Sequence, residues 1–518
     1  MSNQIGFWAQ APARRGDIAL VTPAEREVSF GELYDRQNQL SHALAGFSLG
    51  FGDHVAMLMP NSQAYLEIFL ATHQSGLYLT PINYHLTGPE VAYILQDAGA
   101  RVFFAHARYA EAARKAVAEA GFDPARCFAV GGSIEGFTAY EALLADQPAE
   151  PPAERQAGTL MLYTSGTTGR PKGVKRDLQA GNPDAVAMLA GMMGALFKLK
   201  GGPPGVHLVT GPLYHAAPGG FGSASLHLGH KLVLQDKWDA EDTLRLIDRY
   251  RVTVSHMVPT MFHRLLALPE QVKARYDVSS LETIIHGAAP IAEDAKRAII
   301  DWWGPVLYEY YGATEGGGTL ATAEEWLSKP GTVGKPWPGT QVKILDETGQ
   351  PLPPGEVGTV YMSSMIGQFE YHNAPEKTAE SWRDGLFTVG DVGYLDPDGW
   401  LFLCDRAKDM IIAGGVNIYP AEIEKALIGH PQVADVAVFG IPNEEWGEEV
   451  KAVVQLVPGA EGDEAMVETL MAFARERLAK YKLPRSIDFI DELPRLDTGK
   501  LYKRFLRDPY WEGKSRRI

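Results

Sequence analysis

The chain reads as an α/β protein in three parts: a large N-terminal domain of parallel αβ layers, a small antiparallel β subdomain, and a small α+β C-terminal domain. Three observations predict this. Short β-rich runs alternate with helical stretches from Val28 onward, and at Val333 to Met362 the texture changes to short strands broken by Pro and Gly. Beyond Asp405, about 110 residues carry their own helices and strands, enough to fold alone.

The elements follow in order. Phe30-Gly31-Glu32-Leu33 opens a helix ending near Ala45, His54 to Met59 is a buried strand, Gln63 to Gln74 is a helix with apolar spacing, and Val102 to His106 is a further strand. The rhythm returns after Leu160 with Val206 to Thr210, Lys231 to Leu234, a helix Ala240 to Tyr250, Val252 to Met257 and Thr283 to His286. Strands alternating with helices in this way imply parallel sheets covered on both faces. The apolar run Ala185 to Phe197 falls short of the roughly 20 residues that span a bilayer, so it is expected as a buried helix, the alternative being a helix lining the entry for a hydrophobic ligand. Pro336-Trp337-Pro338-Gly339 and Pro351-Leu352-Pro353-Pro354-Gly355 punctuate the β subdomain. The last part predicts a helix entering at Pro420, strands Val433 to Ile441 and Val450 to Val457, a helix Asp463 to Lys480 and a strand Ser486 to Ile490. The division is therefore 1–405, with the β-rich subdomain at 333–405, and 409–518.

Composition narrows the function classes. With 48 Lys+Arg against 64 Asp+Glu the formal charge is −16, which argues against a nucleic-acid partner. The charge is uneven, since Arg475 to Ile518 holds 13 basic and 7 acidic residues. Cys127 and Cys404 are the only cysteines, too few for a disulfide framework, and are expected as two buried thiols in a cytoplasmic protein. Met1 to Gly16 has no signal-peptide pattern, and no transmembrane segment is predicted. The 54 Gly and 34 Pro exceed ordinary usage and call for many tight turns or close approach of backbone to ligands.

The most informative segment is Tyr163-Thr-Ser-Gly-Thr-Thr-Gly-Arg-Pro-Lys-Gly-Val174. Glycines, hydroxyls and a lysine after a strand form a loop whose backbone N–H groups can wrap phosphate oxygens. Thr164, Ser165, Gly166, Thr167, Thr168, Gly169 and Lys172 are its candidate nucleotide contacts. It is not a Walker A loop, because Pro171 stands where that motif needs its second glycine.

This segment resembles the signature of the adenylate-forming superfamily of acyl-CoA synthetases, luciferases and peptide-synthetase adenylation domains. Further segments match in order: Leu213-Tyr-His-Ala-Ala-Pro218, His286-Gly-Ala-Ala-Pro290, Tyr310-Tyr-Gly-Ala-Thr-Glu315, Thr388-Val-Gly-Asp391, Asp405-Arg-Ala-Lys-Asp409, Gly414-Gly-Val-Asn-Ile-Tyr-Pro420 and Pro494-Arg-Leu-Asp-Thr-Gly-Lys500. The resemblance implies a role for each. His215 lies beside the acyl pocket, Gly287, Ala288 and Ala289 form the adenine-contacting turn, and Tyr311 and Gly312 line the adenine. Thr314 and Glu315 act at the phosphates, with Glu315 holding Mg²⁺. Asp391 accepts the ribose hydroxyls and Arg406 adds a charged donor. Lys408 is the hinge residue near 405–409, Gly414 and Gly415 leave room for coenzyme A, and Lys500 bridges carboxylate and α-phosphate. The small domain is then mobile. ATP, Mg²⁺ and coenzyme A are the implied co-substrates and metal.

The implied reaction converts a carboxylic acid to its acyl-AMP and then to a thioester. Small residues at Gly219-Gly-Phe-Gly-Ser-Ala224, Gly287-Ala-Ala289 and Gly316-Gly-Gly318 are expected around a cavity for a medium or long acyl chain or a bulky polycyclic or terpenoid acid; close helix packing would produce the same glycines. Two alternatives stay open: a ligase specialised for one half-reaction, and one that loads a carrier protein. A homodimer is left open as well.

Overall fold

The computed structural model describes residues 5–164, 171–201, 205–406, 409–413, 416–443, 445–495 and 501–512, with the Arg406 side chain outside that set. The chain divides into two compact units. The first holds Met1–Met257, Leu268–Ile285 and Ile366–Glu380; the second holds Val258–Ala267, His286–Met365 and Ser381–Ile518.

In the first unit a six-stranded, all-parallel sheet runs Thr138–Ala139, Cys127–Val130, Ala100–His106, His54–Leu58, Tyr78–Pro81, Thr159–Leu160. Central strands are apolar on both faces, Val55, Ala56, Phe103 and Phe104 all being fully buried, as helices on both sides require. A second set pairs Val254–Met257, Val206–Val209, Lys231–Leu234 and Ile18–Val21 in parallel, and an antiparallel Glu27–Ser29 closes its edge. Helix Phe30–Ala45 shows why these segments fold as they do. The Ser29 hydroxyl accepts the Glu32 N–H at 3.0 Å, a cap worth about 1 kcal/mol, and Phe30, Leu33, Leu40 and Leu44 form one buried stripe.

The expected buried helix at Ala185 to Phe197 is corrected by the structure. Helix Pro183–Leu196 buries its small residues Ala187, Gly191 and Gly194 against neighbours that include Ile5 and Leu228, while Leu189 and Met192 are 60% and 58% exposed. Small residues let helices approach closely, so the stripe of least volume turns inward and the larger side chains turn out. Cys404 corrects the reading of two buried thiols: Cys127 is buried, but Cys404 is only half-buried.

The second unit begins with helices Pro259–Leu266 and Glu293–Trp303 and an antiparallel hairpin, Leu307–Ala313 with Gly316–Thr322. The expected β subdomain is present as an antiparallel sheet of Trp382–Arg383, Leu386–Phe387, Gly358–Met362, Asp391–Leu395 and Leu401–Arg406, with Val342–Leu345 added on Gly358–Met362. The small C-terminal sheet follows the order Val416–Ile418, Ile411–Ala413, Gly447–Leu456, Val433–Asn443, with Ser486–Phe489 parallel to Gly447–Leu456. Helix Glu464–Arg475 stops short of the expected Lys480. Its buried stripe of Met466, Leu470 and Ala474 is completed by Leu478, no apolar residue continues it, and Pro484 bars further helix. No helix among the described residues is long and apolar enough to cross a membrane.

Candidate active site

The phosphate-loop segment lies in the first unit as an antiparallel hairpin. Leu162–Thr164 pairs with Lys172–Lys175 so that Thr164 faces Lys172, Tyr163 faces Gly173 and Leu162 faces Val174. Two candidates, Thr164 and Lys172, thus stand opposite each other at its mouth, and the Thr164 hydroxyl donates to the Lys172 carbonyl at 3.4 Å. Ser165, Gly166, Thr167, Thr168 and Gly169 lie outside the described residues. The stem is braced by groups the motif does not contain. Tyr163 OH donates to Asp97 Oδ2 at 2.6 Å, and Tyr93 OH donates to the Pro171 carbonyl at 3.1 Å. Burial, then Asp97, push the Tyr163 phenol far above its usual range, so it stays a donor. The Lys172 ammonium sits 6.0 Å from the Tyr371 ring centroid. These braces come from 66 to about 200 residues away, and no local pattern announces them.

His215 stands at the N-cap position of helix Ala216–His227 in the same unit, without a side-chain cap bond. Its segment is pinned from below: Asn61, 6% exposed, donates to the Gly211 carbonyl at 3.0 Å and accepts the Leu213 N–H at 2.8 Å, and Tyr65 OH donates to the Leu213 carbonyl at 2.7 Å. The His215 ring lies 4.2 Å from Tyr214, which meets Tyr84 edge-on at 5.0 Å. Asn61, Tyr65 and Tyr84 were not foreseen. Two of the three glycines in this helix follow the alternative of close packing. A Cβ on Gly219 would strike the Leu213 carbonyl and one on Gly222 would come within 3.3 Å of Leu213, although Gly220 has open space.

The second unit brings together Gly287, Tyr311, Gly312 and Asp391. A Cβ on Gly287 would strike the Tyr310 carbonyl and lie 2.8 Å from its ring, so only glycine permits this approach. Ala288 holds φ +68, a strained value for a residue with a Cβ, in the turn expected to meet adenine. Ala289 follows it in that turn, half-exposed. Tyr311 OH donates to Asp391 Oδ2 at 2.7 Å, and Asp391 is 8% exposed. Thr314 and Glu315 form the two-residue turn between strands Leu307–Ala313 and Gly316–Thr322, with Glu315 6% exposed. Asp391 stands opposite Arg406 in the strand register. Lys408, Gly414, Gly415 and Lys500 lie outside the described residues.

Comparison with known proteins decides the family. Residues 7–367 match the AMP-binding enzyme family and residues 422–500 match the AMP-binding enzyme C-terminal domain. A feruloyl-CoA synthase of Amycolatopsis sp is 36% identical, covering 98% of this chain and 99% of that protein. The chain belongs to the adenylate-forming acyl-CoA synthetase superfamily. It is a ligase of the acid–thiol class, as its relatives are. A fatty acid–[acyl-carrier-protein] ligase of Streptomyces coeruleorubidus is 35% identical over 95% of this ligase and 93% of its own length. The crystal structure of an anthranilate CoA ligase in complex with anthranoyl-AMP superposes with a TM-score of 0.84 at 25% identity, covering 98% of each chain.

The residues of this ligase fit a Mg²⁺ held together with substrate phosphates. Among the described residues no group of three or more His, Cys, Asp or Glu could form a self-sufficient metal cage. Magnesium does not ask for one, since it is commonly held by one or two carboxylates, water and substrate phosphates, and the nearly buried Glu315 is such a carboxylate.

Proposed function

We propose that this ligase activates a hydrophobic carboxylic acid with ATP through an acyl-AMP and then passes the acyl group to coenzyme A. The observation that carries the reading is the match of one chain to both the AMP-binding enzyme family and its C-terminal domain, and the hydrogen-bonded Tyr311–Asp391 pair supports it. A carboxylate resists attack because resonance and charge both oppose it. In the first half-reaction its oxygen attacks the α-phosphorus of ATP and pyrophosphate leaves; in the second a thiolate attacks the acyl carbonyl and AMP leaves. Lys172 and the phosphate loop neutralise the triphosphate, Lys500 bridges the carboxylate and α-phosphate, Asp391 and Arg406 hold the ribose, and His215 borders the acyl group. When bound at Glu315, Mg²⁺ supplies further charge neutralisation.

The two half-reactions need different neighbours around one carbonyl. We therefore retain the division at 405–409, with Lys408 as hinge, rotation of 409–518 withdrawing Lys500, and Gly414 and Gly415 admitting the pantetheine arm. The similarity to a feruloyl-CoA synthase and to a fatty acid ligase supports a hydrophobic acid, aromatic or aliphatic, more directly than the glycines do. The carrier-protein ligase among the relatives keeps a protein-borne thiol as the alternative acceptor.

The test is a panel of carboxylic acids with ATP, offered coenzyme A or a carrier protein, reading AMP and thioester by mass spectrometry. Within it, Lys500→Ala is expected to abolish acyl-AMP formation and to spare thioester formation from supplied acyl-AMP. Equal loss of both steps overturns the assignment of Lys500.

A further inference from the structure

Tyr311 and Asp391 lie 80 residues apart in sequence, on strands of different sheets within the second unit, and one hydrogen bond links them. The donor arrives from a fixed element. Tyr311 pairs with Thr319 across the hairpin Leu307–Ala313/Gly316–Thr322, and Glu309, two residues earlier on the same face of the strand, is buried against Lys296. The acceptor sits at the start of strand Asp391–Leu395 and is almost wholly buried. The terminal torsion of an aspartate is broad, so the plane of its carboxylate is set by the groups that bond it, the Tyr311 hydroxyl among them. A hydroxyl held by a rigid strand selects one plane.

The chemistry this serves is recognition of a vicinal diol. Both ribose hydroxyls must donate at once, which requires the carboxylate plane to be set before the nucleotide arrives. Each carboxylate oxygen offers about two acceptor positions, so Oδ2 can take the Tyr311 proton and still accept from a sugar. We propose that Tyr311 is a positioning residue for Asp391, its hydroxyl orienting the ribose-binding carboxylate while its ring faces the base. The inference rests on the reading of Asp391 as the ribose acceptor, and the experiment separates the two.

Binding of AMP and of 2′-deoxy-AMP is measured by calorimetry on the wild-type protein, Tyr311→Phe, Asp391→Asn and Asp391→Glu, with circular dichroism verifying the fold. The wild type is expected to prefer AMP, and Asp391→Asn to lose that preference. Tyr311→Phe keeps the flat ring; it is expected to weaken AMP about fivefold to tenfold and 2′-deoxy-AMP less than about twofold, shrinking the preference without abolishing it. Asp391→Glu keeps the charge but displaces it from the hydroxyl, and is expected to shrink the preference likewise. If Tyr311→Phe leaves the preference intact, or weakens both ligands equally, the positioning role is overturned while the reading of Asp391 stands. Should Asp391→Asn keep the full preference, both fall together.

Discussion

The two units differ in which titratable groups they bury most, although the first also buries Glu67 against Arg36 and the second also buries His286. The first buries neutral imidazoles. His207, His227 and His256 are 1%, 5% and 4% exposed, and burial depresses them to about 3, about 3 and about 4. Neutrality is built into the contacts: the Phe7 N–H donates to His227 Nδ1 at 3.2 Å, so that nitrogen must keep its lone pair. The second unit buries charges in pairs. Lys296, fully buried, meets Glu309 and lies 4.5 Å above the Trp326 ring; the half-buried Lys503 meets the half-buried Glu424 at 2.8 Å, and Glu424 also accepts the Val438 N–H at 2.7 Å. Burial lowers Lys296 despite Glu309 and raises Glu424 despite Lys503, whereas for Lys503 burial is outweighed by Glu424, Asp405 and Asp409, which raise it. A neutral imidazole depends on pH, whereas a paired charge depends on its partner. The two units should therefore break under different insults.

Acid gives the largest effect. Unfolded imidazoles titrate near pH 6.5, but these three refuse protons until pH 3 to 4, so the unfolded chain binds more protons across that window. The contribution of these three groups to the stability of the first unit is then flat above pH 7 and falls as pH drops from 6.5 towards 4, by on the order of 10 kcal/mol in sum. Hydrogen exchange, corrected for the intrinsic pH dependence, is expected to show strand Val206–Val209 and helix Ala216–His227 losing protection before strand Leu307–Ala313. Simultaneous loss in both units would end the contrast.

Removing a partner comes next and strikes the second unit. Glu309→Gln leaves the Lys296 ammonium buried without its counter-charge, at a cost of about 3–5 kcal/mol in urea unfolding. The double change Lys296→Met with Glu309→Leu removes both charges and is expected to lie within about 1 kcal/mol of wild type. A double variant as unstable as the single one would show that the pair matters for its shape and not for its charges.

The fold was legible where a pattern is local. Gln63–Gln74, Lys231–Leu234, Ala240–Tyr250 and Thr283–His286 begin and end where periodicity and turn residues place them. The errors share a cause. Helix Pro183–Leu196 departs from the expected buried helix because hydropathy does not say that Ala187, Gly191 and Gly194 pack better than Leu189 and Met192. The glycines within helix Ala216–His227 leave pocket wall and close packing equally open in sequence, because a missing side chain looks the same whether it faces space or backbone. The hairpin Leu307–Ala313/Gly316–Thr322 went unread, since its motif was recognised as chemistry before it was recognised as two strands. For the candidate site, motif residues were visible in sequence, but their supports Asp97, Asn61, Tyr65 and Lys296 were not. Those are single residues far along the chain, and only folding gives them neighbours.

Asp97 offers the smallest and most specific test of such a support. It closes helix Gly88–Asp97 and gathers three side chains: Oδ2 accepts Tyr163 OH at 2.6 Å, Oδ1 accepts Asn373 Nδ2 at 3.3 Å, and its carbonyl lies 2.9 Å from His372 Nε2. Tyr163 sits one residue before the first phosphate-loop threonine, so a looser Tyr163 means a looser loop stem. Asp97→Asn keeps size and one acceptor oxygen but turns a charge-assisted bond into a neutral one, a loss of about 1 kcal/mol. Expressed through nucleotide binding, that predicts a rise of about fivefold in the KM for ATP, with kcat for acyl-AMP formation changed less than about twofold. Tyr163→Phe removes the other half of the same bond and is expected to match it, and the double variant to be no worse than either single one. Additive losses, or a fall in kcat at unchanged KM, would show that Asp97 supports the helix end and not the loop.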